Sequence, residues 1–350
     1  MRKREFQRRL TQWREFLSGQ KLTEEERACA LGYVERLMSR DLPPIFDFSH
    51  LCYILGVSNE ELAALIFSPQ SFYRTFTIPK RSGGQREITA PYPSMKSVQR
   101  WILSNILSKV KPHGCSHGFI PRRSIVTNVK VHVGQPMLLK IDLKDFFPSI
   151  TLNWVINVFK QLGYENTVAF FLAAICCQGN RLPQGSPASP AISNIICRHM
   201  DRRLYRLAKS LNLNYTRYAD DIGISGSEIN PSIIRYFFEV ITDCGFQINE
   251  KKVRLYSEGS NKILTGISLN GDRPRITREY RRHLTKEIHY INKYGLTGHL
   301  AHIRNRKANY LESLLGKLNF WLMVEPENLP VRDIRDRLSD YYKRQISPQE

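Results

Sequence analysis

A chain of 350 residues with 42% hydrophobic content can bury a sizeable core, which excludes a disordered polymer. Its 52 Lys and Arg against 32 Asp and Glu leave a formal charge of +20, which favours a polyanionic partner, nucleic acid being the commonest. No apolar run approaches the roughly 18–20 residues of a membrane-spanning helix and Met1-Arg2-Lys3-Arg4-Glu5 does not open like a secretory leader, so a cytoplasmic protein without a membrane partner is expected.

Residues 1–40 read as two helices. The first, Glu5 to Leu17, carries Arg8 and Arg9 near its start, either as a solvated face or as an arm that touches RNA. Thr23-Glu24-Glu25-Glu26 has the form of a capping box for the second. Asp41-Leu42-Pro43-Pro44 breaks the chain, and Phe48 to Phe67 reads as two short helices around Gly56-Val57-Ser58. Phe76 to Ile88 is a hairpin turning at Gly83-Gly84 and loaded with Lys80, Arg81 and Arg86, a charge pattern that suits a triphosphate or a plain basic surface. A helix from Ser94 to Val110 follows, then Ser116-His117-Gly118-Phe119 and a basic loop with Arg122 and Arg123.

Met137 to Ile141 is an apolar strand, expected at the centre of a sheet, with Asp142 at its end. Asp145 reads as a structural or capping residue, and Phe147 either walls a sugar pocket or packs in the core. Cys176 and Cys177 continue the apolar run from Phe170 and belong to the core. Seven cysteines with no C-x-x-C pair give no zinc site and suit reduced thiols. Leu182 to Pro190 is a loop by its Pro and Gly content, with Gln184 offering donors and an acceptor, and it leads into a helix from Ala191 towards Leu207.

Tyr218-Ala219-Asp220-Asp221 lies between two β-rich flanks, Asn214 to Arg217 and Ile222 to Gly226, and reads as the tip of a hairpin. Adjacent strand residues face opposite ways, but a tight turn relaxes that rule and lets both carboxylates crowd one site. Crowded carboxylates repel unless a cation lies between them, and Mg²⁺, hard and octahedral, suits such ligands. With Asp142 as a third carboxylate, the set is what a two-metal site requires. Gly245 to Lys252 ends a helix and starts a strand, placing Lys252 where it could meet pyrophosphate, and Leu264 to Asn270 reads as another hairpin strand.

Beyond residue 275, Thr277 to Tyr294 places Tyr280, Leu284, Ile288 and Ile291 on one helical face, and Gly295 stops it. From Arg273 to Lys307 ten Lys and Arg face only Glu279 and Glu287, with Tyr280, Tyr290 and Tyr294 interleaved. Such a segment grips phosphates and offers rings for base stacking, although the helix also needs some of its tyrosines for a core. Ala308 to Val324 gives a second apolar helix.

The hairpin around Lys80-Arg81, Ser116 to Phe119, Lys140 to Ile150, Leu182 to Pro190, Tyr218 to Asp221, Gly245 to Lys252 and Leu264 to Asn270 together, in this order, closely resemble the motifs of reverse transcriptases. Within them, Asn128-Val129-Lys130-Val131-His132 resembles the Asn-Ala-x-x-His signature of bacterial retron enzymes, with Val for Ala. Leu264-Thr265-Gly266 resembles their Val-Thr-Gly, with Leu for Val. The resemblance implies an α+β right-hand polymerase. Its parts would be an N-terminal helical extension over 1–48, interleaved fingers and an antiparallel palm over 49–275, and a helical RNA-binding thumb over 276–350.

It implies Asp142, Asp220 and Asp221 as catalytic metal ligands for two Mg²⁺, with Mn²⁺ a possible substitute. Lys80 and Arg86 would hold the triphosphate, Phe147 would exclude the ribose 2′-hydroxyl, Gln184 would line the nucleotide pocket, and Lys252 would protonate pyrophosphate. Arg281, Arg282, Lys286, Tyr290 and Lys293 are the expected RNA contacts. Asn128, His132, Thr265 and Gly266 carry the subfamily signature. The implied partners are dNTPs, a cognate structured noncoding RNA as template and primer, the RNA–DNA product (msDNA), and a separate effector in anti-phage defence. A group II intron-like or diversity-generating enzyme is the catalytic alternative, and a non-catalytic RNA-binding scaffold the alternative of another class.

Overall fold

A computed structural model describes residues 3–79, 83–302 and 309–346. Contacts divide the chain into two units, each assembled from three segments. The first unit comprises Met1–Phe119, Leu143–Leu204 and Phe237–Asn249; the second comprises Ile120–Asp142, Tyr205–Tyr236 and Glu250–Glu350. Among the described residues no helix is long and apolar enough to cross a membrane.

The first unit is mainly helical. Its two N-terminal helices, Lys3–Ser18 and Glu24–Ser39, form as the sequence predicts, and Thr23 and Glu26 complete the capping box. Arg40 donates to the last carbonyls of the helix Leu152–Leu162, at 2.8 Å from Gln161 O and 3.0 Å from Leu162 O. These orphan carbonyls lack intrahelical partners, so the arginine both satisfies them and complements the helix dipole. The helix Asn166–Cys176 is buried along nearly its whole length, Cys176 and Cys177 included. The described cysteines are all free thiols.

Strands β1 (Tyr73–Pro79) and β2 (Gln85–Pro91) form the antiparallel hairpin, with Arg86 opposite Ile78. The next helix is shorter than its apolar pattern suggests: Pro93–Asn105 ends at Ile106, and a 3₁₀ turn covers Leu107–Lys109. The helix after the Leu182–Pro190 loop is likewise broken at Cys197, into Ser189–Ile196 and Arg198–Ser210.

The second unit is built on a four-stranded antiparallel sheet in the order β4-β5-β3-β6. Its strands are β3 (Met137–Asp142), β4 (Asn214–Tyr218), β5 (Asp221–Gly226) and β6 (Arg254–Tyr256). β3 is an interior strand, as its apolar run predicts, and Leu138, Leu139 and Ile141 are fully buried. A smaller sheet follows from β7 (Ile263–Leu264), β8 (Ile267–Ser268) and β9 (Arg275–Ile276).

One apolar cluster joins Leu138, Leu264 and Ile267 to Leu284, Ile288, Leu314, Leu318 and Trp321 of the C-terminal helices. The predicted apolar face of the first of these helices is thus its core face. Gly295 ends that helix, as the sequence predicts. The run Arg278–His302 is two helices meeting at Gly295, whose φ of 69° and ψ of 170° only a residue without Cβ adopts at low cost. The next helix is Tyr310–Val324, and a further one, Leu329–Ile346, was not anticipated from the sequence.

Candidate active site

Antiparallel pairing explains how distant carboxylates meet. Asp142, the last residue of β3, lies directly opposite Asp221, the first residue of β5. Directly opposed residues share a face of the sheet. The β4–β5 turn passes through Ala219, whose φ of 55° is left-handed, and brings Asp220 beside the other two. Arg217, fully buried, donates from Nη1 to Ala219 O at 3.0 Å and so holds this turn from below. A buried arginine beside the Tyr-Ala-Asp-Asp turn is a supporting element that residue-type reasoning passed over.

Two ammonium groups answer the three carboxylates. Lys252 Nζ is 2.9 Å from Asp142 Oδ1 and 3.0 Å from Oδ2. Lys140 Nζ approaches Asp221 Oδ1 to 3.0 Å, yet that buried oxygen makes no hydrogen bond. Lys252 lies in a 3₁₀ turn, Glu250–Lys252, just before β6 rather than in the strand. Lys140 was not foreseen, because a lysine in an apolar strand gives no sign of which carboxylate its neighbours supply.

Burial and the neighbouring charges of Asp221 and Asp142 push the Asp220 carboxyl up to about 6 from its ordinary 3.8. Above that pH the folded chain carries an unwelcome charge, worth on the order of 2–3 kcal/mol against folding. The cost fades as pH falls through 6 and is gone below 3.8, where folded and unfolded chains are both protonated. In the chelated protein, Asp220→Asn is therefore expected to melt higher than wild type at pH 8, with the gain vanishing by about pH 4. Calorimetry at the two pH values checks this, and an equal difference at both would contradict it.

The donors fit a hard divalent cation. All three are carboxylates, Asp221 Oδ1 is buried with a cationic ammonium already 3.0 Å away, and Asp220 ionises reluctantly until positive charge arrives. As the side chains stand, no group of three or more His, Cys, Asp or Glu among the described residues forms a finished metal cage. Lys252 and Lys140 hold two of the carboxylates instead.

The expected nucleotide contacts divide by unit. Lys80 lies outside the described residues. Arg86 is exposed on β2, in the first unit. Gln184 is tied to the same strand, because Thr89 N donates to Gln184 O at 3.0 Å. Ser186 Oγ donates to Gln99 Oε1 at 2.8 Å, and Gln99 Nε2 in turn donates to Tyr73 Oη at 2.6 Å and Ile175 O at 2.7 Å. This buried amide network anchors the Gln184 loop.

Phe146 is the core ring, stacked on Phe246 at 5.9 Å, whereas Phe147 is half-buried beside the exposed Phe119 at 6.2 Å. Asp145 precedes them with a left-handed φ of 47° and makes no side-chain cap bond.

Arg282, Lys286 and Lys293 are exposed. Their spacing of four and seven puts them on one face of the first helix in the run Arg278–His302. Tyr290 stacks between Tyr294 at 6.1 Å and His299 at 6.4 Å, and Lys293 lies over the Tyr294 ring at 5.1 Å. Arg281 is instead paired with Glu325 at 3.4 Å. Of the signature residues, Asn128 is fully buried and neither of its amide atoms has a hydrogen bond. His132 is buried at 2.7 Å from both Ser225 Oγ and Thr216 Oγ1. Thr265 and Gly266 form the two-residue β7–β8 turn, Thr265 with φ 47°, a conformation that strains a β-branched residue by about 1–3 kcal/mol.

Residues 78–309 match the family described as reverse transcriptase (RNA-dependent DNA polymerase). The chain is 34% identical over 297 residues to the Retron Ec86 reverse transcriptase of Escherichia coli, covering 84% of this chain and 89% of that protein. It is 33% identical over 331 residues to the Retron Mx162 reverse transcriptase of Myxococcus xanthus, covering 83% of this chain and 67% of that one. A Saccharomyces cerevisiae protein named Putative COX1/OXI3 intron 1 protein is 31% identical over 375 residues, with only 44% of its length matched. Three carboxylates gathered at one end of an antiparallel sheet and similarity along most of two retron enzymes lead to one conclusion: the chain belongs to the reverse transcriptase family, with retron enzymes as its relatives, and is an RNA-directed DNA polymerase.

Proposed function

We propose that this polymerase copies one cognate structured noncoding RNA from a 2′-hydroxyl within it. The product is branched RNA–DNA, made in the cytoplasm for a retron that acts in anti-phage defence with a separate effector protein. The observation that supports RNA recognition is the exposed face of Arg282, Lys286 and Lys293 with its stacked tyrosines. Positive charge grips phosphates, while a fixed array of rings discriminates RNA shape. Asp142, Asp220 and Asp221 are assigned as ligands. The chemistry supplied there by two bound Mg²⁺, or by Mn²⁺ in their place, is activation of the attacking hydroxyl and neutralisation of triphosphate charge.

Lys252, held at Asp142, passes a proton to the departing pyrophosphate. Lys80 and Arg86 grip the triphosphate, and Gln184 lines the nucleotide pocket. Phe147 rejects the ribose 2′-hydroxyl by overlap. Phe147→Val is accordingly expected to raise ribonucleotide incorporation relative to deoxynucleotide at least tenfold without abolishing synthesis. Single-nucleotide assays measure the ratio, and an unchanged value would assign Phe147 to packing.

Sequencing the nucleic acid that copurifies from cells carrying the native locus tests the whole reading. One RNA species joined through a 2′-linkage to DNA is expected. A broad population of unbranched RNAs would favour the intron-like alternative and leave reverse transcription standing.

A further inference from the structure

We propose that His132 is a positioning residue for the catalytic hairpin: it clamps β4 to β5 directly behind Asp221, in a hole that Gly223 leaves open. The proposal rests on the assignment of Asp142, Asp220 and Asp221 as the catalytic carboxylates.

The register places the participants on one face. Thr216 of β4 is opposite Gly223 of β5, and Lys140 of β3 is opposite the same glycine on its other side. Along β5, Asp221, Gly223 and Ser225 alternate onto that face, because the strand repeats every two residues. Asp221 thus stands one pleat ahead of Gly223, its partner Lys140 stands level with the glycine, and Ser225 stands one pleat behind.

The imidazole of His132 fills the gap. Nε2 is 2.7 Å from Thr216 Oγ1 and Nδ1 is 2.7 Å from Ser225 Oγ, so the ring ties the two strands together across Gly223. A neutral imidazole offers one donor and one acceptor, and each hydroxyl turns to supply the other role. The site is dry: His132 is 1% exposed, Thr216 1% and Ser225 0%. A buried polar bridge of this kind is costly to leave half-made and is correspondingly rigid when complete.

Gly223 is required for space and not for backbone conformation, since its φ is not left-handed. A Cβ there would lie 2.9 Å from His132 Nε2 and 2.7 Å from Leu264 Cδ2. Leu264 is fully buried and comes from β7, immediately before the strained Thr265-Gly266 turn. Both signature segments, Asn128 to His132 and Leu264 to Gly266, therefore converge on one glycine of the catalytic strand. Their shared task on this geometry is to set the spacing and tilt of β4 and β5, and through them the placement of Asp220 and Asp221 relative to Asp142.

The experiment compares His132→Leu, His132→Gln and the double variant Thr216→Val/Ser225→Ala with wild type. Extension of a preformed template–primer, corrected for folded fraction, is followed as a function of dNTP and of Mg²⁺. Misplaced carboxylates lower kcat by about tenfold or more and raise the Mg²⁺ concentration for half-maximal activity several-fold. The KM for dNTP and the RNA Kd are expected to stay within about twofold, and His132→Gln, which keeps a donor and an acceptor, to recover part of the loss. If His132→Leu fails to fold, the double variant, which keeps the imidazole and removes only its two hydroxyl partners, gives the same readout.

A lowered Tm with wild-type kcat and Mg²⁺ dependence would overturn the proposal in favour of a purely structural histidine. Lost RNA binding with unchanged Mg²⁺ dependence would overturn it in favour of an RNA contact. Asp142→Asn run alongside separates the two levels: full activity there rejects the carboxylate assignment, whereas its loss beside wild-type-like His132 variants rejects only the clamp.

Discussion

Asp142→Asn and Asp220→Asn are each expected to reduce DNA synthesis by about a thousandfold or more, while cognate RNA binding is expected to stay within about twofold. Asp142 closes β3 opposite Asp221, and Asp220 feels both through its raised carboxyl. Either substitution removes a unit of negative charge and a hard oxygen donor from the point where cations must gather. The exposed charges Arg282, Lys286 and Lys293, proposed as RNA contacts, lie on a different element and are untouched. Primer extension with a single dNTP, beside filter binding of the RNA, measures both quantities. Full extension by either variant would end the assignment of these carboxylates.

Gly185→Ala is expected to lower kcat/KM for dNTP by about a hundredfold, chiefly through KM. Gly185 has φ +142°, where an L side chain is strained, and a Cβ there would lie 2.6 Å from Thr89 O and 3.1 Å from Thr89 C. Those atoms are backbone of β2 and do not yield as a side-chain tip would. The loop must back away, breaking the 3.0 Å bond from Thr89 N to Gln184 O and pulling Ser186 from buried Gln99. Steady-state dNTP titration on a fixed template–primer reads the effect. A wild-type KM would mean that the seat of the Gln184 loop has no part in binding the nucleotide.

The sequence made the chemistry legible where it is written in neighbours. Asp220-Asp221 between two β-rich flanks, and Asp142 at the end of an apolar strand, needed only strand periodicity and the repulsion of like charges. The supporting residues were illegible for a physical reason. Thr216, Ser225 and Gly223 acquire their roles from strand register and from His132, whose identity as a bridging group depends on a fold-level meeting over more than 80 positions. Arg281 looks like its neighbour Arg282 in sequence, but the first is half-buried and paired to Glu325, 44 residues on, whereas the second is exposed. Gly295, by contrast, is legible locally as a stop, because its non-helical backbone separates two helices within Arg278–His302.

The lysines at the carboxylates bear on how a cation would be received there. Lys252 and Lys140 offset two of the three negative charges from within the fold, and each holds an oxygen that a hard cation would take as a ligand. An arriving divalent ion therefore competes with two ammonium groups for the same oxygens, and part of its binding free energy goes into displacing them.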